Sequence, residues 1–253
     1  MRFLLIVTLS LLPLLAYAAA LGEARDRSGR LLYTERHTVE GSRHYIEYRD
    51  AKGELFASSH LDYRFGDTHP AYRQEKRRVG ALLGGRISGD SIEGARWRGG
   101  QLELFHADGV SGRAPERVKV IAAPQPQPLV LNAGFDHFVR DHWQALQRGD
   151  VLRFHFALPA RLMLVELRAR RIDAPADVEL PAGGLALRTD PVSPLWRLLS
   201  RPLDLFYDGE HRLLRYRGVS TLELGENAPW VDVTYRYDEA APAGAAAPLT
   251  SSR

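Results

Sequence analysis

The sequence predicts a mainly β protein. The expected form is a curved antiparallel sheet or half-barrel meander, with one central amphipathic helix over about 132–148 and one short helix over about 193–200. Three observations carry this. Short strand-like runs follow one another with turn dipeptides, not helices, between them. One substantial segment, Leu129 to Asp150, keeps a helical period. Cysteine is absent from 253 residues, so a sizeable apolar core has to hold the fold without disulfides.

The chain begins with Arg2, the apolar run Phe3 to Leu15, and Ala16-Tyr17-Ala18. A basic start, a short apolar stretch and an A-x-A site define a secretory signal peptide over 1–18, with cleavage as late as 20 as the alternative. The run is too short for a good membrane span. The expected product is an exported, soluble protein, periplasmic or secreted. Without cysteine there is no acceptor for lipoprotein acylation, so no lipid anchor is expected. Residues 21–237 are expected to form a single β-rich domain, in two halves joined by Pro-rich 124–128, ahead of a disordered tail over 238–253.

Leu31–Val39, His44–Asp50 and Glu54–Tyr63 read as three consecutive strands, with turns at Gly41-Ser42 and at Asp50-Ala51-Lys52-Gly53. Tyr72–Val79 follows, then a glycine-rich stretch. Ile92–Arg98 and Leu102–His106 form a hairpin about Gly99-Gly100, and Arg117–Ile121 adds a strand. In the central helix Phe135, Phe138, Val139, Trp143 and Leu146 make one apolar stripe. Asn132 is the expected N-cap and Gly149 the C-terminal stop. After it come strands at Leu152–Leu158 and Arg161–Ile172, with Val165, Leu167 and Ala169 opposite Glu166, Arg168 and Arg170. Ser193-Pro194 starts the short helix. It is expected to pack on the sheet, and the functional alternative is a lid or membrane-surface contact carried by Trp196. Leu203–Tyr207, Arg212–Arg217, Val219–Leu224 and Trp230–Tyr237 close the meander, with Asp208-Gly209 as a turn.

A net charge of +3 is close to neutral, so nucleic acid is not an expected partner. No nucleophile elbow, phosphate loop or dinucleotide fingerprint is present. Ser91 in Gly89-Asp90-Ser91-Ile92, with His211 in Asp208-x-x-His211, mimics the SGNH hydrolase blocks. That fold needs a parallel α/β sheet, which this strand order opposes, and no catalytic residue is assigned. His137 and Asp141 share a helix face, and His44 and His60 could meet across neighbouring strands. Neither makes a convincing metal set, so no metal and no cofactor are expected.

The segments Gly29 to His37, Tyr48-Arg49-Asp50, Asn132 to Arg140 and Phe206-Tyr207-Asp208 with Arg212 to Ser220 carry a resemblance. Through them the chain resembles an uncharacterised family of exported proteobacterial proteins, over most of 29–237. The resemblance implies export and no known activity. In architecture it is also loosely similar to the half-barrels of periplasmic lipoprotein-localisation carriers. The resulting expectation is a non-catalytic binding module for an apolar ligand, a lipid or acyl chain, lined by Phe135, Phe138, Trp143 and Trp196. An envelope structural or interaction protein, with an envelope protein partner, is the alternative, and a serine hydrolase using Ser91 and His211 the second.

Overall fold

The computed structural model describes residues 17–77, 90–109, 116–122, 127–199, 201–220, 222 and 229–237. Most of the signal segment, the tail over 238–253 and residues 123–126 of the Pro-rich segment lie outside the described residues, as do parts of the glycine-rich stretch and of 219–224.

The first eight strands run outward in sequence order: β1 Tyr17–Arg25, β2 Leu31–Glu40, β3 Arg43–Asp50, β4 Leu55–Asp62, β5 Ala71–Lys76, β6 Ser91–Arg98, β7 Gln101–Asp108 and β8 Arg117–Ile121. The second series is β9 Leu129–Val130, β10 Leu152–Leu158, β11 Met163–Arg171, β12 Leu185–Pro191, β13 Leu203–Tyr207, β14 Leu213–Val219 and β15 Trp230–Arg236. The last strand pairs with the first, so both series make one sheet of fifteen strands ordered β8 to β1, then β15 down to β9. All pairings are antiparallel except β9 with β10. A mainly β, curved meander with few helices is therefore the fold.

Three elements depart from the sequence expectation. The first is β1. Ala20 and Ala24 are buried between β2 and β15, in a stretch whose small residues carry no strand signal. The segment around the predicted cleavage site thus pairs as a strand. The second is β12, Leu185–Pro191, which the proline-broken sequence before it disguised. The third is the central helix, which is two pieces: α1 Gly134–Asp141 and α2 Trp143–Arg148. His142 interrupts it. Its backbone N–H is shared between the Phe138 and Val139 carbonyls, and its Nδ1–H also donates to the Phe138 oxygen at 2.9 Å. A side chain that takes an i−4 carbonyl loosens the helical ladder there. Asn132 does not cap the helix; the N-cap position falls on Ala133, with no side-chain cap. Asn132 sits at φ 47 and its Oδ1 accepts from Ala133 N–H, while Gly149 at φ 94 ends α2 as expected.

Alternation along each strand puts one continuous apolar face inward. Over β1–β7 it carries Ala24, Tyr33, Ile46, Tyr48, Ala57, Leu61, Tyr72, Ala95 and Leu104. Over β10–β13 it carries Phe154, Ala169, Leu185, Leu187, Leu205 and Tyr207, and α1 and α2 pack there. The opposite face of that half is a ladder of ion pairs. Arg168 meets Asp190 at 2.6 Å, Arg188 meets Asp204 at 2.7 Å, and Arg215 meets Asp232 at 2.6 Å. Such partly exposed pairs add little individually; the first two join directly opposite residues, and Arg215 reaches Asp232 diagonally, beside the directly opposite Arg217.

Backbone approach is tightest at Gly94 on β6. A Cβ there would collide with the Tyr72 carbonyl oxygen and lie 2.7 Å from the Phe105 ring. Gly94→Ala should lower unfolding stability by about 1–3 kcal/mol, as overpacking does, measured by urea denaturation.

Candidate functional site

The helix stripe closes over its half of the sheet. Phe138 is 1 % exposed and Trp143 6 %, and Val139 and Leu146 are fully buried. The Phe138 ring lies 4.9 Å from Phe154, and Phe135 lies 5.4 Å from it. Trp143 stacks on His211 at 4.0 Å and meets Tyr207 edge-on. Three of the four predicted lining residues, Phe135, Phe138 and Trp143, therefore share one packed cluster. Trp196 is half-buried on a separate helix, α3 Pro194–Leu199, and does not join that ring cluster. A polar groove of about 540 Å³ runs over the outer side of α1–α2, edged by Arg140, His142, Gln144 and His211.

The other predicted pairs are not assembled. His44 and His60 do not face each other: β3 and β4 place His44 opposite Leu61 and Tyr45 opposite His60, so the two imidazoles point to opposite faces. His60 packs edge-on to Tyr45. His137 lies against the Tyr63 ring at 4.9 Å, and Asp141 is exposed. Ser91 is buried on β6 across from Lys76 and Asp108, while His211 stacks on Trp143, and no hydrogen bond joins them. Asp208 is occupied by its own turn, accepting from Glu210 N–H and Arg212 N–H. Among the described residues no group of three or more His, Asp or Glu side chains is arranged to hold a metal ion.

Two polar constellations instead appear on the inner face, and the strand register builds both. The first spans β1. The Glu35 carboxylate accepts from Tyr235 OH at 2.9 Å and from His37 Nε2–H at 3.2 Å. His37 Nδ1 lies 3.0 Å from His44 Nε2. With neutral rings, Glu35 holds the proton on His37 Nε2 and leaves Nδ1 to accept from His44. Burial pushes His44 down to about 3, helped by the neighbouring His37, His137 and Arg140 charges. Burial likewise raises Tyr235, and the adjacent Glu35 charge adds to that. Every member of this chain is partnered.

The second constellation is not. Ser59, Gln74, Glu93, His106 and Arg117 stand directly opposite one another across β4 to β8. Lys76, Ser91 and Asp108 form the next row. Ser59 Oγ donates to Gln74 Oε1 at 3.1 Å, and His106 Nε2 meets Asp108 at 3.1 Å. Lys76 Nζ is 3.9 Å from Glu93. Yet Gln74 Nε2, Glu93 Oε2 and His106 Nδ1 are buried without a hydrogen-bond partner, and His106 Nδ1 stops 3.7 Å from Glu93. Glu93 first, then Asp108, raises the His106 pKa despite burial. Unpaired buried polar atoms cost about 1–3 kcal/mol each, and three in one row are exceptional.

Against β6 and β7 packs the corner between β10 and β11, a 3₁₀ turn over Pro159–Arg161 followed by Leu162. Leu162 holds φ 51, a left-handed conformation that costs a branched residue roughly 1–2 kcal/mol. The sequence carried a signal for this row that went unread. Gln74, Lys76, Glu93 and His106 interrupt positions that alternation assigns to the inside.

No protein-family model matches this sequence, and no curated protein matches it. The resemblance read over 29–237 therefore has no family match behind it. A crystal structure of a beta-barrel-like protein of domain of unknown function DUF1849 from Brucella abortus is similar over 88% of this chain and 100% of that chain. The identity is 6% and the TM-score 0.47. At that distance the fold assignment rests on the strands of this chain.

Two predictions belong to these side chains. Trp143→Ala should cost about 3–5 kcal/mol of stability, as large-to-small changes in a packed core do, read from the chemical denaturation midpoint. His44 binds a proton far more readily unfolded, near its ordinary 6.5, than folded, near 3. The unfolded state therefore gains protons first as pH falls, and stability drops between about pH 6.5 and 3, by up to about 1.4 kcal/mol per unit. His44→Gln should flatten that part of the stability curve, measured by denaturation at pH 7 and pH 5.

Proposed function

We propose that this chain is a non-catalytic binding module of the exported, periplasmic compartment. Its ligand is an amphipathic small molecule, a lipid or acyl compound. The polar head of that ligand meets the Gln74–Glu93–His106 row, and its apolar part follows the neighbouring Tyr72, Ala95 and Leu104 positions. The single observation that supports this reading is the set of three unpartnered buried atoms. Gln74 Nε2 offers a donor, Glu93 Oε2 an acceptor, and His106 Nδ1 either. A head carrying both a hydroxyl or amide N–H and a carbonyl would satisfy them together. The row lies close to the open edge strand β8 and beneath the strained Leu162 corner, so displacement of that corner is the route of entry. The helix aromatics then serve as the packed floor of the other half, and the lining moves from Phe138 and Trp143 to β4–β7.

Native mass spectrometry of protein purified from a bacterial periplasm, with solvent extraction in parallel, tests this. The expected result is a stoichiometric lipid or acyl adduct that Gln74→Leu/Glu93→Gln removes, while stability stays within about 1 kcal/mol of the parent. A clean apo mass, or an adduct that survives the double change, would sink the proposal.

The envelope-interaction reading is favoured by one feature. Val118 and Val120 are exposed on β8, whose outer backbone edge has no paired strand among the described residues.

A further inference from the structure

We infer that α3 is a docking prong for an anionic lipid bilayer. Among the large apolar residues exposed on the described part of the chain, Leu198 and Leu195 stand out furthest, at 84% and 66%. They are three positions apart, so they project from one side of the same turn. Nothing in their own element buries them, although α3 sits between β12 and β13 and packs against β12. The helix is held in place at its start. Arg197 N–H donates to the Ser193 carbonyl at 3.0 Å, and the Arg197 guanidinium donates to the Val192 carbonyl at 3.1 Å. The leucines are therefore presented from a fixed base.

Charge complementarity selects the occupant. From Pro191 to Pro202 the charged residues are Arg197 and Arg201, both exposed, and no acid intervenes. Two apolar prongs flanked by arginine and joined to an amphipathic tryptophan, Trp196, match the boundary between lipid headgroups and acyl chains. Leucines enter the acyl edge, while guanidinium groups pair with lipid phosphates. Groove-binding on an acidic protein and pairing with a second copy of this chain are the competing occupants. Neither needs two isolated leucines on a single turn. The inference is independent of the polar row on the inner face.

Co-sedimentation of the purified protein with vesicles checks it. Vesicles of phosphatidylglycerol and phosphatidylethanolamine should retain the protein at least tenfold better than phosphatidylcholine vesicles, and raised salt should weaken retention. Leu195→Asp/Leu198→Asp should abolish retention with an unchanged circular dichroism spectrum. Should that variant misfold, Arg201→Gln, which leaves the Arg197 contact to Val192 in place, should weaken the preference for anionic vesicles while keeping the fold. Absence of retention by the parent protein would overturn the inference. So would retention unaffected by either variant. Leucine-dependent dimerisation in light scattering without lipid would do the same, by assigning the face to a second copy.

Discussion

The structure depends on the pairing of its first and last strands. Without β1 against β15, β1–β8 and β9–β15 would be two separate meanders, each with an additional raw edge. The seam works because its inward positions are small. Ala20, Gly22 and Ala24 leave room for large side chains from both neighbours, and a Cβ on Gly22 would lie 2.9 Å from the Tyr235 ring. Tyr235 uses that room to reach Glu35 across β1, and Glu35 in turn orients His37 and His44. One glycine thus couples strand closure to a buried proton-holding chain. Within that chain, burial holds His44 neutral, so its protonation opposes the folded state at acid pH.

The two halves of the inner face are finished differently. Over β10–β13, the stripe of α1 and α2 supplies Phe138, Val139, Trp143 and Leu146, and hydrophobic burial with ring packing dominates there, with His155 Nδ1 on β10 and Thr189 Oγ1 on β12 as isolated unpartnered atoms. Over β4–β7, the β10–β11 corner packs against β6 and β7, and polar groups of β5 to β7 are buried with their hydrogen bonds incomplete. A low-dielectric interior makes such omissions costly. Among the described residues, three of the five buried unpartnered polar side-chain atoms and one of the left-handed non-glycine residues lie around these strands.

Much of this was legible in the sequence, for specific reasons. The Asp50-Ala51-Lys52-Gly53 and Gly99-Gly100 turns, the alternation in Met163–Arg171 and the stripe from Phe135 to Leu146 each encode a local preference that the tertiary structure kept. The strand β1 was not legible, because Ala and Gly have no β propensity and gain their place from neighbours more than two hundred positions away. The break at His142 was also hidden, since a helical wheel records faces and not a ring nitrogen competing for a carbonyl. For the candidate site, the aromatic residues drew attention through size, and size marks cores as readily as ligand walls. The polar row lacked a motif because its members are 59, 74, 93 and 106, one per strand, at spacings fixed only by turn lengths.

By itself, the sequence determined the class of fold, the positions of most strands, and which faces of the central helix and of β11 turn inward. These are properties of period and turn chemistry within about ten residues, and short-range physics suffices for them. Only the tertiary structure decided that the first and last strands meet, that Phe138 and Trp143 fill space, and that Gln74, Glu93 and His106 stand in line with one polar atom of each unpartnered. Those outcomes depend on register between strands distant in sequence. A slip of one residue would have turned each of those side chains to the opposite face.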